Sequence, residues 1–498
     1  MRAPGTGVVF AAAFLASACA PGPAPGDPNI VLILADDLGY GDLSSYGATL
    51  VRTPNIDRLA TEGMQFTDAH TDASTCTPTR YGLLTGRYSW RTWLKYSALS
   101  TDAPLLIEAG RMTLASLLKA AGYNTSLVGK WHLGFGREDD FARDRQGPPN
   151  AWSSRTGGPD WNGELKPGPL EVGFDYFYGI PVANSFPPYV LVENHRVEGL
   201  REDSPIGSME SENYGAMEGG DGARWRHEDL GDQLTAKAVN QLEQLAGKRE
   251  PFFLYYAPHQ PHIPNEHHPR FDGTSPIGAR GDSIHELDWS VGEVLTALDR
   301  LGLAEGTLVI FTSDNGASRS DEEGHRPMGP VMQGRKGDLY EGGHRVPFLA
   351  RWPGRIEEGA RSSEMISLND MLATLAALTG QKLSQGAGPD SFNILPALLG
   401  EEYQSPLRPS LVVTAGGTGK RAVREGKWKL IDGQGSFGYA HWRAQEKSPG
   451  PDDPKGQLYD LENDIGERNN LFRQHPDVVS RLRDLLQSIT DEGATRTL

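Results

Sequence analysis

The sequence predicts an α/β fold: a large, mainly parallel sheet flanked by helices, followed by a smaller C-terminal α+β domain that carries an antiparallel sheet. Three observations carry this. Residues 29–35 and 308–312 are continuously apolar rather than alternating, the pattern of strands buried on both faces. Between them, strand-like runs alternate with helical spacings, which places the strands side by side in one parallel sheet. Past about residue 395 the pattern changes, and residues 421–431 alternate like an antiparallel hairpin. With 498 residues the chain exceeds one ordinary core. The expected division is 1–28 as leader and linker, 29–395 as the large domain and 396–498 as the small one.

Each element has its own signal. Arg2, the apolar residues 8–15 and Ala16-Ser17-Ala18-Cys19 read as an export signal, too short to span a bilayer. Small residues before a cysteine resemble a bacterial lipoprotein cleavage site, although Ala16 stands where a larger aliphatic is usual. Lipid attachment at Cys19 and ordinary cleavage near Ala18 are the two alternatives. Either way the chain is expected in the periplasm or on the outer surface. The Pro/Gly-rich residues 21–28 are a linker. Thr53 and Pro54 open a helix that ends near Gly63. Leu114, Leu117, Leu118 and Ala121 share a helical face closed by Gly122, and residues 125–128 form the next strand. Residues 252–256 are a strand; Leu287, Val291, Val294, Leu295 and Leu298 lie along one helix face. Residues 478–489 form a terminal amphipathic helix. The polar stretches 136–170 and 198–229 lack periodicity and read as surface loops.

The formal net charge of −17 excludes nucleic acid as a partner and argues against a basic membrane-binding face. The chain has two cysteines, Cys19 and Cys76. With Cys19 in the leader, no structural disulfide is expected, and Cys76 is left for another role.

Chemistry concentrates at the predicted strand ends. Asp36-Asp37 follows the first buried strand, where ligands of open α/β sheets sit. Adjacent acids there are costly without a cation, although taken alone they also suit a turn or a helix N-cap. Asp314-Asn315 follows the second buried strand in the same way. Together these four oxygen-bearing side chains suit a hard cation, Ca²⁺ or Mg²⁺. Cys76-Thr77-Pro78-Thr79-Arg80 sits at a helix entrance that Pro78 favours and Gly86 closes, and such an N-terminus attracts an oxyanion. Aromatic and basic side chains at Trp90, Arg91 and Trp93, and at His441, Trp442 and Arg443, suit stacking on a sugar and pairing with its anionic groups; interdomain packing is the alternative.

The run from Cys76 to Arg87 resembles the signature of the type I sulfatases, Cys-x-Pro-x-Arg-x-x-Leu-Leu-Thr-Gly-Arg. Residues 122–132, ending in Gly129-Lys130-Trp131-His132, resemble the second signature of that family. Ala257-Pro258-His259-Gln260-Pro261-His262 and the segment around Lys336 follow in the family's order, so the resemblance runs from about residue 29 through Ile431. It implies an alkaline-phosphatase-like fold, with arylsulfatases and N-acetylgalactosamine-6-sulfatases as the nearest kin. A maturation enzyme would convert Cys76 to formylglycine, and Asp36, Asp37, Asp314, Asn315 and the modified residue 76 would hold Ca²⁺, with Mg²⁺ as the alternative. Arg80 and His132 would bond the hydrated aldehyde, Lys130 and Lys336 would bind sulfate, and His262, expected near neutral pKa, would protonate the leaving alcohol. His259 is expected to be structural. The implied substrate is a sulfated carbohydrate. Thr414 stands where many relatives carry a His at the end of residues 411–413, which leaves the sulfate position open. A phosphodiesterase or phosphonate hydrolase using the same aldehyde, and a glycan-binding protein retaining Cys76 as a thiol, are the other readings.

Overall fold

The computed structural model describes residues 27–140, 142–143, 152–153, 158–209, 215–318, 332–440 and 450–496. The export signal and the candidates His441, Trp442 and Arg443 lie outside the described residues.

The apolar run at 29–35 forms the strand Asn29–Ala35, buried throughout. It lies between parallel neighbours, Thr307–Ser313 on one side and Phe252–Ala257 on the other. Asn124–Gly129 and then Tyr176–Gly179 extend the parallel run beyond Phe252–Ala257. Continuous apolarity is explained by the two cores. Ile30, Leu32 and Leu34 point into one, with Phe253, Tyr255 and Ile310. Val31 and Ile33 point into the other, with Leu254, Tyr256 and Val309. The helices Leu114–Ala120 and Met371–Leu378 cover the first face; His227–Ala246 and Ala279–Arg300 cover the second. Beyond Thr307–Ser313 the sheet turns mixed. Phe348–Arg351 runs antiparallel to it and to Met64–Phe66, completing a ten-stranded sheet.

The small sheet is antiparallel in the order Leu411–Thr414, Arg421–Glu425, Trp428–Ile431, Gln457–Asp460. Both of its faces are covered. Val412, Val423, Leu430 and Leu458 pack under the terminal helix Pro476–Asp491. Leu411, Val413, Ala422 and Ile431 pack against Leu339 and Met365. The helix Leu395–Leu399 buries Ala397 and Leu398 in the core of the large sheet. Thr414 bridges to Ala73, which fixes the small sheet against the segment that leads into Cys76.

One buried ion pair joins the two sheets' surroundings. Arg408, fully buried, donates to Asp370 at 2.6 and 3.0 Å, to Asn369 Oδ1 and to the carbonyls of Asp390 and Ser410. Removing one member of such a pair strands the other's charge, at a cost of about 3–5 kcal/mol. Arg408→Met is therefore expected to lose that much stability in denaturant unfolding, and a loss under about 1 kcal/mol would contradict the role given to it.

Candidate active site

Four segments leave the carboxyl ends of four adjacent parallel strands and meet. They are Asp36-Asp37 after Asn29–Ala35, Lys130-Trp131-His132 after Asn124–Gly129, the stretch from Pro258 to His262 after Phe252–Ala257, and Asp314-Asn315 after Thr307–Ser313. Register explains why they coincide: Ala35 lies opposite Ser313, and Gly129 opposite Ala257. Gly129 sits at φ 116°, and a Cβ there would lie 2.0 Å from the Ala257 carbonyl oxygen, so only glycine lets the chain turn Lys130 into the cleft. Asp37 (φ 67°) and His132 (φ 56°) occupy left-handed backbone, a strain that folds keep where side-chain direction matters.

Cys76 opens the helix Cys76–Thr85, all of whose residues are buried; Gly86, at φ 63°, closes it. Its Sγ lies 3.4 Å from His132 Nδ1. His132 Nε2 lies 3.2 Å from the Leu99 carbonyl, an acceptor only, so Nε2 carries the proton and Nδ1 offers its lone pair to residue 76. Thr77 locks this arrangement: its hydroxyl donates to the His132 carbonyl at 3.0 Å and accepts from the Leu99 amide. The sequence reading passed over Thr77, whose signal was its place inside the Cys76 motif. Burial pushes the Cys76 thiol up, against the pull of Lys130 and Lys336, so the unmodified side chain stays protonated and is a weak nucleophile. Burial, then the charges of Lys130 and Arg80, hold His132 neutral, well below its ordinary pKa.

The acids converge with cations on them. Lys130 Nζ donates to Asp36 Oδ2 at 2.6 Å, and Lys336 Nζ to Asp37 at 2.7 and 2.9 Å. Arg80 gives Nε and Nη2 to Asp314 Oδ2 at 3.0 and 2.8 Å and Nη1 to the Lys130 carbonyl. The contact expected of Arg80 is to a hydrated aldehyde, a group that the thiol of Cys76 does not offer. With both nitrogens on one carboxylate oxygen, Arg80 anchors Asp314. Asn315 Nδ2 donates to Asp37 Oδ1 at 2.8 Å.

A cation fits here by the chemistry of what is left over. Asp36 Oδ1 and Asn315 Oδ1 are buried acceptors without hydrogen-bond partners. Ligand atoms of Asp36, Asp37 and His262 lie within 4.8 Å of one another. Three carboxylates (Asp36, Asp37, Asp314) face three cations (Arg80, Lys130, Lys336), so a divalent ion would leave the pocket two charges positive, matched to an anionic ester. Burial would raise Asp37, but Lys336 and then His262 hold it well below the usual carboxylate range. Burial and the charge of Asp36 push Asp314 up to about 6.

His262 donates from Nδ1 to the Ile263 carbonyl at 2.7 Å, which leaves Nε2 facing the pocket, 3.8 Å from Asp37. Its expected near-neutral pKa is not found. Burial first, then Lys336, lowers it to about 3. His259 is buried and likewise lowered to about 3, by burial and then the charge of His227. Tyr439 was missed as an individual residue: its hydroxyl meets Thr75 Oγ1 at 3.1 Å beside the helix entrance.

Trp90, Arg91 and Trp93 are not part of this cluster. Arg91 is held by Asp390 at 2.8 Å and stacks on Trp90, which packs under the small sheet. Trp93 packs against the large core.

Cys76 at a buried helix entrance, an acidic cradle at two strand tips and three inward cations define a hydrolase for anionic esters. Residues 28–381 match the sulfatase family model, and the chain belongs to that family of sulfuric ester hydrolases. It is 39% identical over 503 residues to the N-acetylgalactosamine-6-O-sulfatase of Bacteroides thetaiotaomicron, covering 93% of each chain. Arylsulfatase A of Homo sapiens is 36% identical over 487 residues, 92% of this chain and 87% of that protein. A structure solved in work on the metabolism of multiple glycosaminoglycans by Bacteroides thetaiotaomicron superposes with a TM-score of 0.81 at 38% identity, covering 93% of this chain and 99% of that one.

Proposed function

We propose that this enzyme hydrolyses sulfate monoesters on sulfated carbohydrates, with Cys76 matured to formylglycine and a divalent cation in the acidic cradle. The observation that carries this is the convergence of Cys76 and His132 on a pocket whose buried acceptors Asp36 Oδ1 and Asn315 Oδ1 lack partners. The carbohydrate is supported by the relatives named for N-acetylgalactosamine 6-sulfate.

A hydrated aldehyde at position 76 would supply two geminal hydroxyls, one as nucleophile toward sulfur and one whose deprotonation would expel sulfate by C–O cleavage. Asp36, Asp37, Asp314, Asn315 and residue 76 would hold a Ca²⁺ or Mg²⁺ ion, which would supply charge against the sulfate oxygens. The chain's own groups do the rest. Lys130 and Lys336, which reach the pocket to bond Asp36 and Asp37, are the chain's cations for holding sulfate oxygens. Arg80 keeps Asp314 in place. His132 Nδ1 accepts a proton from residue 76 while Leu99 holds the ring. His262 Nε2 faces the leaving-group oxygen. An anionic ester beside it offsets Lys336 and Lys130, two of the charges that keep the ring neutral, and so lets it carry the proton it donates.

Among the described residues no helix is long and apolar enough to cross a membrane. The leader at residues 1–19 supports export to the periplasm or outer surface, with lipid attachment at Cys19 as one route, and a formylglycine-generating enzyme as a required partner.

The test is co-expression with such a maturation enzyme, followed by mass measurement of the peptide containing residue 76 and turnover of matched aryl sulfate and aryl phosphate. An aldehyde at residue 76 and a preference for sulfate are expected. A thiol alone removes the enzyme reading in favour of a binding protein, and equal or faster phosphate turnover turns it into a phosphoester hydrolase.

A further inference from the structure

Between the segment after the Cys76 helix and the small domain lies a cavity of about 580 Å³. Arg87, Trp90, Arg91 and Tyr96 form one wall; Gly419, Arg421 and Thr490 form the other. Its charges are not equally available. Arg87 is paired with Glu108 and Arg91 with Asp390, each at 2.8 Å, and Lys95, which also lines the cavity, is itself engaged. Arg421 differs. Its guanidinium lies 4.5 Å from the centre of the Trp90 ring and donates to the Thr490 hydroxyl at 3.2 Å. Among the described residues no carboxylate pairs with it. Partial burial and the neighbouring charge of Arg91 pull its pKa down, as expected of a cation short of a counter-ion.

The cavity is tied to the reaction centre by two short stretches of chain. Tyr96 stands three residues before Leu99, whose carbonyl holds His132, a separation of at most about 10 Å along the chain. On the opposite wall, Gly416 donates its amide to Ser74 Oγ and to the Gly337 carbonyl, next to Cys76 and Lys336. Three residues on, Gly419 lies against the Tyr96 ring so closely that a Cβ would fall 2.3 Å from it. Both walls of the cavity are thus anchored within three residues of segments that touch the reaction centre.

We propose that this cavity is a second glycan subsite, in which Arg421 pairs with the carboxylate or sulfate of a sugar linked to the one whose ester is cleaved. It rests on the carbohydrate reading above. Tyr96 supplies apolar surface for the sugar ring, and Arg421, seated on Trp90, supplies the fork that a carboxylate or sulfate matches in bidentate fashion. The chain's net charge of −17 does not oppose this, since fields beyond about 10 Å are screened at 0.1 M salt and the local cation decides.

The experiment uses Cys76→Ala protein, which binds without turnover, and calorimetric titration with N-acetylgalactosamine 6-sulfate and with a glycosaminoglycan tetrasaccharide carrying that unit. The readout is the ratio of the two affinities. We expect about tenfold in favour of the tetrasaccharide, equivalent to about 1.4 kcal/mol. In Arg421→Met the ratio should fall close to one, and in Arg421→Lys, which keeps charge but not the fork, part of it should remain. The Lys variant also serves should the Met variant not fold. A parent ratio of one, or a tenfold ratio surviving both substitutions, overturns the subsite. Failure of the sulfatase reading shows separately, as absence of sulfate release from the monosaccharide by matured wild-type enzyme, whatever the ratio.

Discussion

Cys76→Ala is expected to lower sulfate release by at least about 10⁴-fold, the scale seen when a nucleophile is removed, with the fold unchanged. The structural cost is small. Cys76 occupies the first turn of Cys76–Thr85, where alanine is a good helix former, and losing one sulfur next to His132 leaves a cavity costing about 1 kcal/mol. Cys76→Ser is the sharper comparison. It puts a hydroxyl within reach of His132 Nδ1, yet a single hydroxyl has no second oxygen with which to expel sulfate by C–O cleavage. Both variants should be equally silent in multiple-turnover sulfate release, while circular dichroism and melting temperature stay near the parent. Activity within tenfold of wild type in the serine variant would sink the diol chemistry, because it would show that one oxygen suffices.

The sequence showed the catalytic end of the molecule more clearly than its periphery, for a physical reason. A strand buried on both faces must be apolar at every position, so residues 29–35 and 308–312 announce themselves, and the polar residues that follow stand out by contrast. Asp36-Asp37, Asp314-Asn315 and Lys130/His132 were legible because they break such runs. Which acid each cation chooses was not. Arg80 pairs with Asp314, 234 residues away, and nothing local marks that choice over residue 76. Arg91 likewise pairs with Asp390, 299 residues on, a partner that nothing near it in the sequence marks. The neutrality of His262 follows from burial among two lysines, a property of packing rather than of motif.

Several elements were missed, and two of them show why. Phe348–Arg351 is four residues long, too short for a period, and its antiparallel direction depends on its neighbours. His227–Ala246 is a full helix with Leu230, Leu234, Ala238, Leu242 and Leu245 on its buried side. That spacing was visible, but the polar residues before it led the loop expectation for 198–229 to run over its first turn. The small sheet was identified by alternation, yet both faces proved covered, by the terminal helix and by Leu339 and Met365, so its alternating positions enter two separate cores.

Asp36→Asn is expected to reduce turnover by about 10³-fold and to weaken the response to Ca²⁺ by about 10²-fold. Asp36 uses Oδ2 to accept Lys130 Nζ at 2.6 Å and leaves Oδ1 buried without a hydrogen-bond partner, with Arg80 Nη2 3.9 Å away. Asparagine has the same shape but one oxygen fewer. If its amide nitrogen faces Lys130, two donors meet; if it faces the unpartnered position, a donor points where a cation needs an acceptor. Either orientation also removes a negative charge, so a divalent ion enters a pocket in which three positive groups face two carboxylates. A factor of 10³ corresponds to about 4 kcal/mol of transition-state stabilisation, within what a charge at the reacting centre supplies. Two measurements separate cation loss from misfolding. The parent, stripped with chelator, should regain sulfate release and gain melting temperature as Ca²⁺ or Mg²⁺ is added, because an ion bound only by the folded state stabilises it. In Asp36→Asn both titrations should shift together to higher ion concentration, while the ion-free melting temperatures remain similar. Full turnover by the chelator-stripped parent, or an unshifted titration in the variant, would show that the unpartnered oxygen of Asp36 serves no ion, and the cradle would have to be reread as a purely structural meeting of three acids and three bases.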